Sequence, residues 1–481
     1  MMQSNTKIKL KSELGLIITI LYVIGAVIGS GIFKKPALMA GQVGSPEILL
    51  GIWVVAGIIT LFGALTNAEV AGMIAETGGQ YIFFQKMYGE FTAFLYGWGI
   101  FIVIQTGSIA SISYVFAEYS QYFLHLPRFS PEVEKAFMLH IPMIGDIYPI
   151  ANIGVKLVTI GLISVLTFIN YLGVKFGGHI VAFFTSTKLL LMLFFIFMAL
   201  FLTSGNTANF STNIPFADMP QKSIFLGMIA AMSGAFWAYD GWNNVTYLAG
   251  EIKNPQRSIP VGLFVGTVII ITVYLLINLA YIYVLPITEM AKSTLVAADA
   301  AQKVLGTIGG GFVAALVMVS TLGTSNGTIM ASARVYYAMS NRGMFFKSIG
   351  ATHPKFFTPA NALWLQLIWS ALLVLSGTFD ILTDMLIFVS WIFYALGAAG
   401  VFVLRKKMPD APRPYKVWGY PWIPIIFIVF SFFFVIFTVY SDIVGYIEGR
   451  NQMINSVFGL LLLATGFPFY FIFKKIYKEE S

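Results

Sequence analysis

The residues with most chemistry to offer lie between Gly25 and Phe33, which read Gly-Ala-Val-Ile-Gly-Ser-Gly-Ile-Phe. They sit midway along an apolar segment that begins near Leu14. Glycine costs about 1 kcal/mol relative to alanine in a helix interior, so Gly25, Gly29, Ser30 and Gly31 suit an unbroken helix poorly. In hydrocarbon a broken helix is tolerated only where its freed N–H and C=O groups face protein, water or ligand. The amides of Ser30, Gly31 and Ile32 would then open a second half-helix. A helix start gathers unpaired N–H groups at the positive end of the dipole, which makes it an anion site. The carbonyls that close the first half, near Val27 and Ile28, would face a cation. Donors on one side and acceptors on the other suit a zwitterion. The same small residues also suit a close helix-packing surface, and on this stretch alone both readings stand.

A second interruption runs Phe236-Trp237-Ala238-Tyr239-Asp240-Gly241-Trp242-Asn243-Asn244. Asp240, Asn243 and Asn244 at mid-membrane depth are costly unless they face a cavity. Trp237, beside the break, is placed to act as a lid over a small ligand. Lys188 is the lone cation inside an apolar stretch, with Thr185, Ser186 and Thr187 before it. It reads either as a lysine snorkelling to an interface or as a fixed or titratable charge beside the broken helix, doing the work of a bound sodium ion. Ser320 to Thr328 is a polar patch in another apolar segment. Thr324 and Asn326 there are candidates for a cavity wall, although such runs also serve helix–helix hydrogen bonding.

These stretches must be positioned by a membrane-embedded scaffold. The 481 residues are 58% hydrophobic and only 10% charged, with a mean hydropathy of +0.82, against about 25% charged in a soluble domain. Absence of cysteine excludes disulfides, thiolate catalysis and cysteine metal sites. His125, His140, His179 and His353 are scattered and form no ligand cluster, so neither a metal nor a cofactor is expected. The first apolar segment leads directly into the body of the protein, so no removable signal peptide is expected.

Segments long enough to span, about 20 residues each, fall near 14–43, 46–76, 91–124, 151–171, 179–204, 224–250, 260–287, 308–340, 360–379, 381–405, 422–444 and 453–475. With the N-terminus inside, nineteen lysines and arginines fall on inner segments and nine on outer ones, including Lys34, Lys35 and Lys156. That asymmetry places both termini in the cytoplasm. It also accounts for the net charge of +8 without nucleic-acid binding. The interrupted spans one and six occupy corresponding places if the first ten form two halves of five, the pattern of an inverted-repeat transporter with its site at the midplane. The expected organisation is an N-terminal segment 1–13, a first five-helix repeat 14–204, a second, inverted repeat 224–405, and 406–481 holding spans eleven and twelve with the C-terminus.

At these motifs the chain resembles the L-type amino acid transporter branch of the amino acid/polyamine/organocation superfamily. Gly29-Ser30-Gly31-Ile32-Phe33 with Lys35-Pro36 is similar to its first-helix signature, and Thr77-Gly78-Gly79-Gln80-Tyr81 to its motif after span two. Ala238-Tyr239-Asp240-Gly241-Trp242-Asn243, continuing to Glu251-Ile252-Lys253-Asn254-Pro255, resembles its sixth-helix signature. Ser332-Ala333-Arg334, Ser340-Asn341-Arg342-Gly343 and Leu404-Arg405-Lys406-Lys407 to Pro412-Arg413-Pro414 follow in the same order. The resemblance implies an all-α fold of twelve transmembrane helices in a five-plus-five inverted repeat, with helices one and six broken and moving in alternating access. It implies a substrate carboxylate on the amides of Ser30, Gly31 and Ile32 with the Ser30 hydroxyl, and an ammonium on carbonyls near Val27, Trp237 and Asp240. Trp237 would gate the site, and Lys188 would stand in lieu of sodium, giving sodium-independent exchange or proton-coupled uptake of amino acids. Animal members link to a heavy chain through a cysteine, which this chain lacks. Asp240 stands where large-neutral-substrate members have glycine. It could pair with a cationic substrate, hold a substrate ammonium, or cap the broken helix. The bulk around Trp237 favours a small side chain such as that of alanine, serine or threonine.

Overall fold

The twelve apolar stretches form helices that cross back and forth as one bundle. The computed structural model describes residues 14–142, 145–172, 177–203, 205–219, 223–356 and 358–479. Segment 1–13, with Lys7, Lys9 and Lys11, and also Lys175 and Lys222, lie outside the described residues. Span one is split into α1 (Leu16–Val27) and α2 (Gly31–Val43). Span two is α3 (Pro46–Met73), opened by Pro46 and capped by Ser45, whose hydroxyl accepts from the Ile48 amide. After the short α4 (Gln80–Tyr88) come α5 (Glu90–Ser120), α6 (Ile153–Leu172) and α7 (Val181–Leu202). Span six is α8 (Ile224–Tyr239) followed by a 3₁₀ stretch, Trp242–Glu251. The remaining spans are α9 (Pro255–Val284), α10 (Val296–Asn341, kinked at Gly306), α11 (Ala360–Ser376), α12 (Phe379–Lys407), α13 (Trp422–Ile447) and α14 (Asn455–Tyr477).

Among the described residues eleven helices are long and apolar enough to cross a membrane, and α11 is a shorter apolar one. Twelve crossings put Leu14 and Glu479, the first and last described residues, on one face, the terminal face. The addition to an all-helical expectation is a small antiparallel hairpin after span three, β1 (Leu139–Ile141) on β2 (Gly145–Ile147). It meets Met453, ahead of span twelve, on the opposite face from the termini.

Helix contacts recur when spans one to five are exchanged with spans six to ten. Span one packs on seven and six on two; one packs on five and six on ten; three packs on four and eight on nine. Spans eleven and twelve sit outside this set, against α12, and α13 turns apolar side chains such as Val429 and Phe432 outward. On the terminal face a buried carboxylate fastens span two to span ten. Glu69 is 2% exposed and takes Arg405 at 2.6 Å, Arg413 at 3.4 Å and the Val417 amide at 2.8 Å.

Span three contains one irregularity. Ile100–Ile104 forms a π turn within α5, a rare geometry that often marks functional sites. Gln105 follows it directly.

Candidate functional site

The two breaks meet. α1 stops at Val27, Ile28 leaves helical geometry, and α2 starts at Gly31. In span six the chain is extended at Asp240 and left-handed at Gly241, with φ +99°, a conformation only glycine adopts readily. The contact between the breaks is close enough to need glycine on both sides. A Cβ on Gly31 would stand 2.4 Å from Ala238 Cα, and one on Gly241 would stand 2.7 Å from the Ala26 carbonyl oxygen. Tyr274 on α9 spans the junction, its hydroxyl 3.1 Å from the Val27 carbonyl and 2.9 Å from that of Ala238.

Lys188, 4% exposed, reaches from α7 into the end of α1. Its ammonium donates to the Gly25 carbonyl at 2.9 Å, to the Ile28 carbonyl, and to Thr324 Oγ1 at 3.3 Å. Thr324 itself lies 3.3 Å from both carbonyls. The lysine is thus surrounded by neutral oxygens, which a buried cation requires.

Between the breaks lies a cavity of about 20 Å³, room for one or two waters. Val27, Gly29, Ser30 and Gly31 line it from span one, Trp237, Asp240 and Gly241 from span six, and Thr324 from α10. Three buried polar atoms on its lining residues have no hydrogen-bond partner: Ser30 Oγ, Gln105 Oε1 and Trp237 Nε1. Buried polar atoms are rarely left so, and three at one cavity point to a polar ligand. The Asp240 carboxylate accepts from the Tyr394 hydroxyl at 2.5 Å, and among the described residues no lysine or arginine pairs with it. At the start of α2, the amides of Ser30, Gly31 and Ile32 have no intrahelical acceptor.

Ion pairs lie on both sides of this cavity. Towards the terminal face Arg334 meets Glu251 at 2.8 Å, while Glu76 takes Lys86 at 2.6 Å and Arg342 at 3.3 Å. Towards the other face Lys34 meets Glu118 at 2.9 Å, and Lys35 meets Asp380 at 2.8 Å and Asp384 at 3.7 Å.

The profile of the amino acid permease family (described as "Amino acid permease") matches residues 14–465. This chain belongs to that family. It is a membrane transporter of amino acids and not an enzyme. The b(0,+)-type amino acid transporter 1 of Mus musculus is 31% identical over 465 residues, covering 96% of this chain and 88% of the relative. The serine/threonine exchanger SteT of Bacillus subtilis is 30% identical over 470 residues, covering 97% and 98%. The large neutral amino acids transporter small subunit 2 of Mus musculus is 30% identical over 466 residues, covering 97% and 81%. These relatives place the chain in the L-type branch.

Of the residues singled out in the sequence, Val27, Gly29, Ser30, Gly31, Trp237, Asp240 and Thr324 come together around the cavity. Others do not line it. The Ile28 carbonyl accepts from Lys188, Ile32 is fully buried in the core, and Ala238 serves as the contact for Gly31. Asn243 donates to Gln80 at 3.0 Å and to the Tyr247 hydroxyl at 3.2 Å, behind the cavity. Asn326 is not at the wall either: its carbonyl takes the Asn170 amide at 2.7 Å, joining α10 to α6. Of the carbonyls expected for an ammonium, that of Val27 already accepts from Tyr274 and that of Trp237 from the Asp240 amide at 3.1 Å. Asn244, one of the two asparagines of the span-six break, also lines the cavity, and Gln105, Ser108 and Thr328 line it without having been singled out as lining residues. The only local signal for Gln105 and Ser108 is the run of small and polar residues that they bound, inside an apolar span.

Proposed function

We propose that this protein is a sodium-independent exchanger of small neutral L-amino acids that works by alternating access around the junction of spans one and six. The observation that carries the proposal is the set of three unpartnered buried polar atoms, together with an uncompensated carboxylate, around a cavity of about 20 Å³. The substrate carboxylate is held by the Ser30, Gly31 and Ile32 amides and the Ser30 hydroxyl, using the helix start as an anion site. The ammonium lies towards Asp240 and the remaining lone pairs of nearby carbonyls, with Trp237 closing over it. Lys188 occupies an oxygen set of two carbonyls and a hydroxyl that would otherwise suit a bound cation, so no sodium ion is needed. Residues 14–204 and 224–405 act as two inverted repeats, a reading supported by the recurrence of helix contacts when spans one to five are exchanged with spans six to ten. Both termini are cytoplasmic, from the lysine and arginine asymmetry. Without cysteine the chain forms no disulfide to a heavy subunit.

A second reading rests on Asp240 alone. A buried carboxylate with no cationic side chain beside it also suits a substrate whose side chain is itself cationic. The test is counterflow in sodium-free proteoliposomes preloaded with alanine, serine, leucine, arginine or nothing, with labelled alanine outside. Uptake confined to vesicles loaded with alanine or serine supports the first reading, and the strongest uptake with arginine supports the second. Equal uptake into empty vesicles that a protonophore abolishes refutes exchange.

A further inference from the structure

The cavity offers more polar groups than the carboxylate and ammonium of an amino acid require. Gln105, 3% exposed, lines it from span three, as Gly31 does from the start of α2. Its Nε2 donates to Asn244 Oδ1 at 2.9 Å, which fixes the amide, and its Oε1 has no partner. Asn244 lies on the 3₁₀ stretch beyond the span-six break, and Ser108 follows Gln105 one helical turn along the same wall. Ser30 and Asp240 are accounted for by the two charged ends of the substrate, and Trp237 by its place closing over it. Gln105 is left over.

We propose that Gln105 is a specificity-determining residue that hydrogen-bonds a hydroxyl on the substrate side chain, so that the transporter prefers serine and threonine over amino acids carrying a methyl in place of that hydroxyl. This rests on the transport reading above. A hydroxyl both donates and accepts, so it satisfies the free end of the amide in either orientation of the Gln105–Asn244 pair. A methyl satisfies neither and leaves a buried polar atom unpaired, which is the arrangement by which sites built around a hydrogen bond reject analogues lacking it. The held amide also explains why a glutamine follows directly on the apolar turn Ile100–Ile104.

The test uses isosteric pairs on the full chain in proteoliposomes. Inhibition of labelled serine counterflow by threonine is compared with inhibition by valine, and serine itself with 2-aminobutyrate. Wild type is expected to favour the hydroxyl member of each pair about tenfold, the worth of one hydrogen bond at the upper end of its usual range. Gln105→Leu is expected to bring both ratios close to one, and Asn244→Ala, which frees the glutamine, to lower them partway. Should Gln105→Leu fail to fold, the same ratios are read on Gln105→Met and from thermal shifts of the detergent-solubilised wild type with each ligand. Ratios near one in wild type, or unchanged ratios in an active Gln105 variant, overturn the proposal while leaving amino acid exchange intact. Absence of exchange with every amino acid overturns both.

Discussion

Replacing Gly31 by alanine should damage the junction between the two broken helices. The added Cβ would stand 2.4 Å from Ala238 Cα, 2.8 Å from its Cβ and 3.0 Å from its nitrogen. Carbon atoms in contact sit about 3.5 Å apart, so α2 and the end of α8 must separate by about 1 Å. Backbone atoms provide most of the obstruction, so no side-chain rotation relieves it. Adding a methyl to a filled contact of this kind costs about 1–3 kcal/mol. The helix propensity gained is under about 1 kcal/mol, and less at the first residue of a helix. A net loss of about 1–2 kcal/mol is expected, with the separation falling on the amides at the start of α2. Gly51→Ala is the control, because nothing lies within 4 Å of its Cβ and only the propensity gain remains. The assay is the thermal midpoint of the detergent-solubilised protein together with counterflow rate. Gly31→Ala should lower both and Gly51→Ala neither. A Gly31→Ala protein matching Gly51→Ala in midpoint and rate would refute the close-contact reasoning.

Two further outcomes are expected. Lys188→Ala leaves the Gly25 and Ile28 carbonyls without their donor, and hydrogen bonds from a charged group are strong. Transport should fall at least about tenfold, with the protein still monodisperse on size exclusion, and normal uptake would remove Lys188 from the site. Glu69→Gln keeps the shape but strips the charge that holds Arg405 and Arg413. Breaking a buried pair costs about 3–5 kcal/mol; with the Arg405 side chain 26% exposed, about 3 kcal/mol is expected, read as a lower thermal midpoint, and an unchanged midpoint would show that the cluster does not hold spans two and ten together.

The spans and the two breaks were legible in the sequence because their signals are local. Apolar length marks a crossing, and glycine or aspartate inside one marks an interruption. Val27, Ser30, Gly31, Trp237 and Asp240 could therefore be found without neighbours. Gln105 could not, nor could its pairing with Asn244, since that depends on which face of span three meets which part of span six, a contact between residues 139 positions apart. Lys35 illustrates the converse. Counted by its position as an outer-side residue, it is fully buried and paired with Asp380, 345 positions later. Asn326 sits in a polar run that reads as a cavity wall, yet its partner is an asparagine on α6. Polar residues within a span announce that something polar faces them, and only the packing says whether it is a ligand or another helix.

The π turn at Ile100–Ile104 has a consequence for how this wall can change in evolution. Such a turn holds one residue more than an α-helical turn, and each residue of an α-helix advances about 100° around the axis. Loss of a single codon within it would restore regular winding and leave Gln105, Ser108 and Ile112 on the cavity side, because the turn spreads its extra residue over one revolution. The wall therefore tolerates a change in chain length at this turn, and one in-frame deletion there shortens span three without exchanging its stripe of lining side chains.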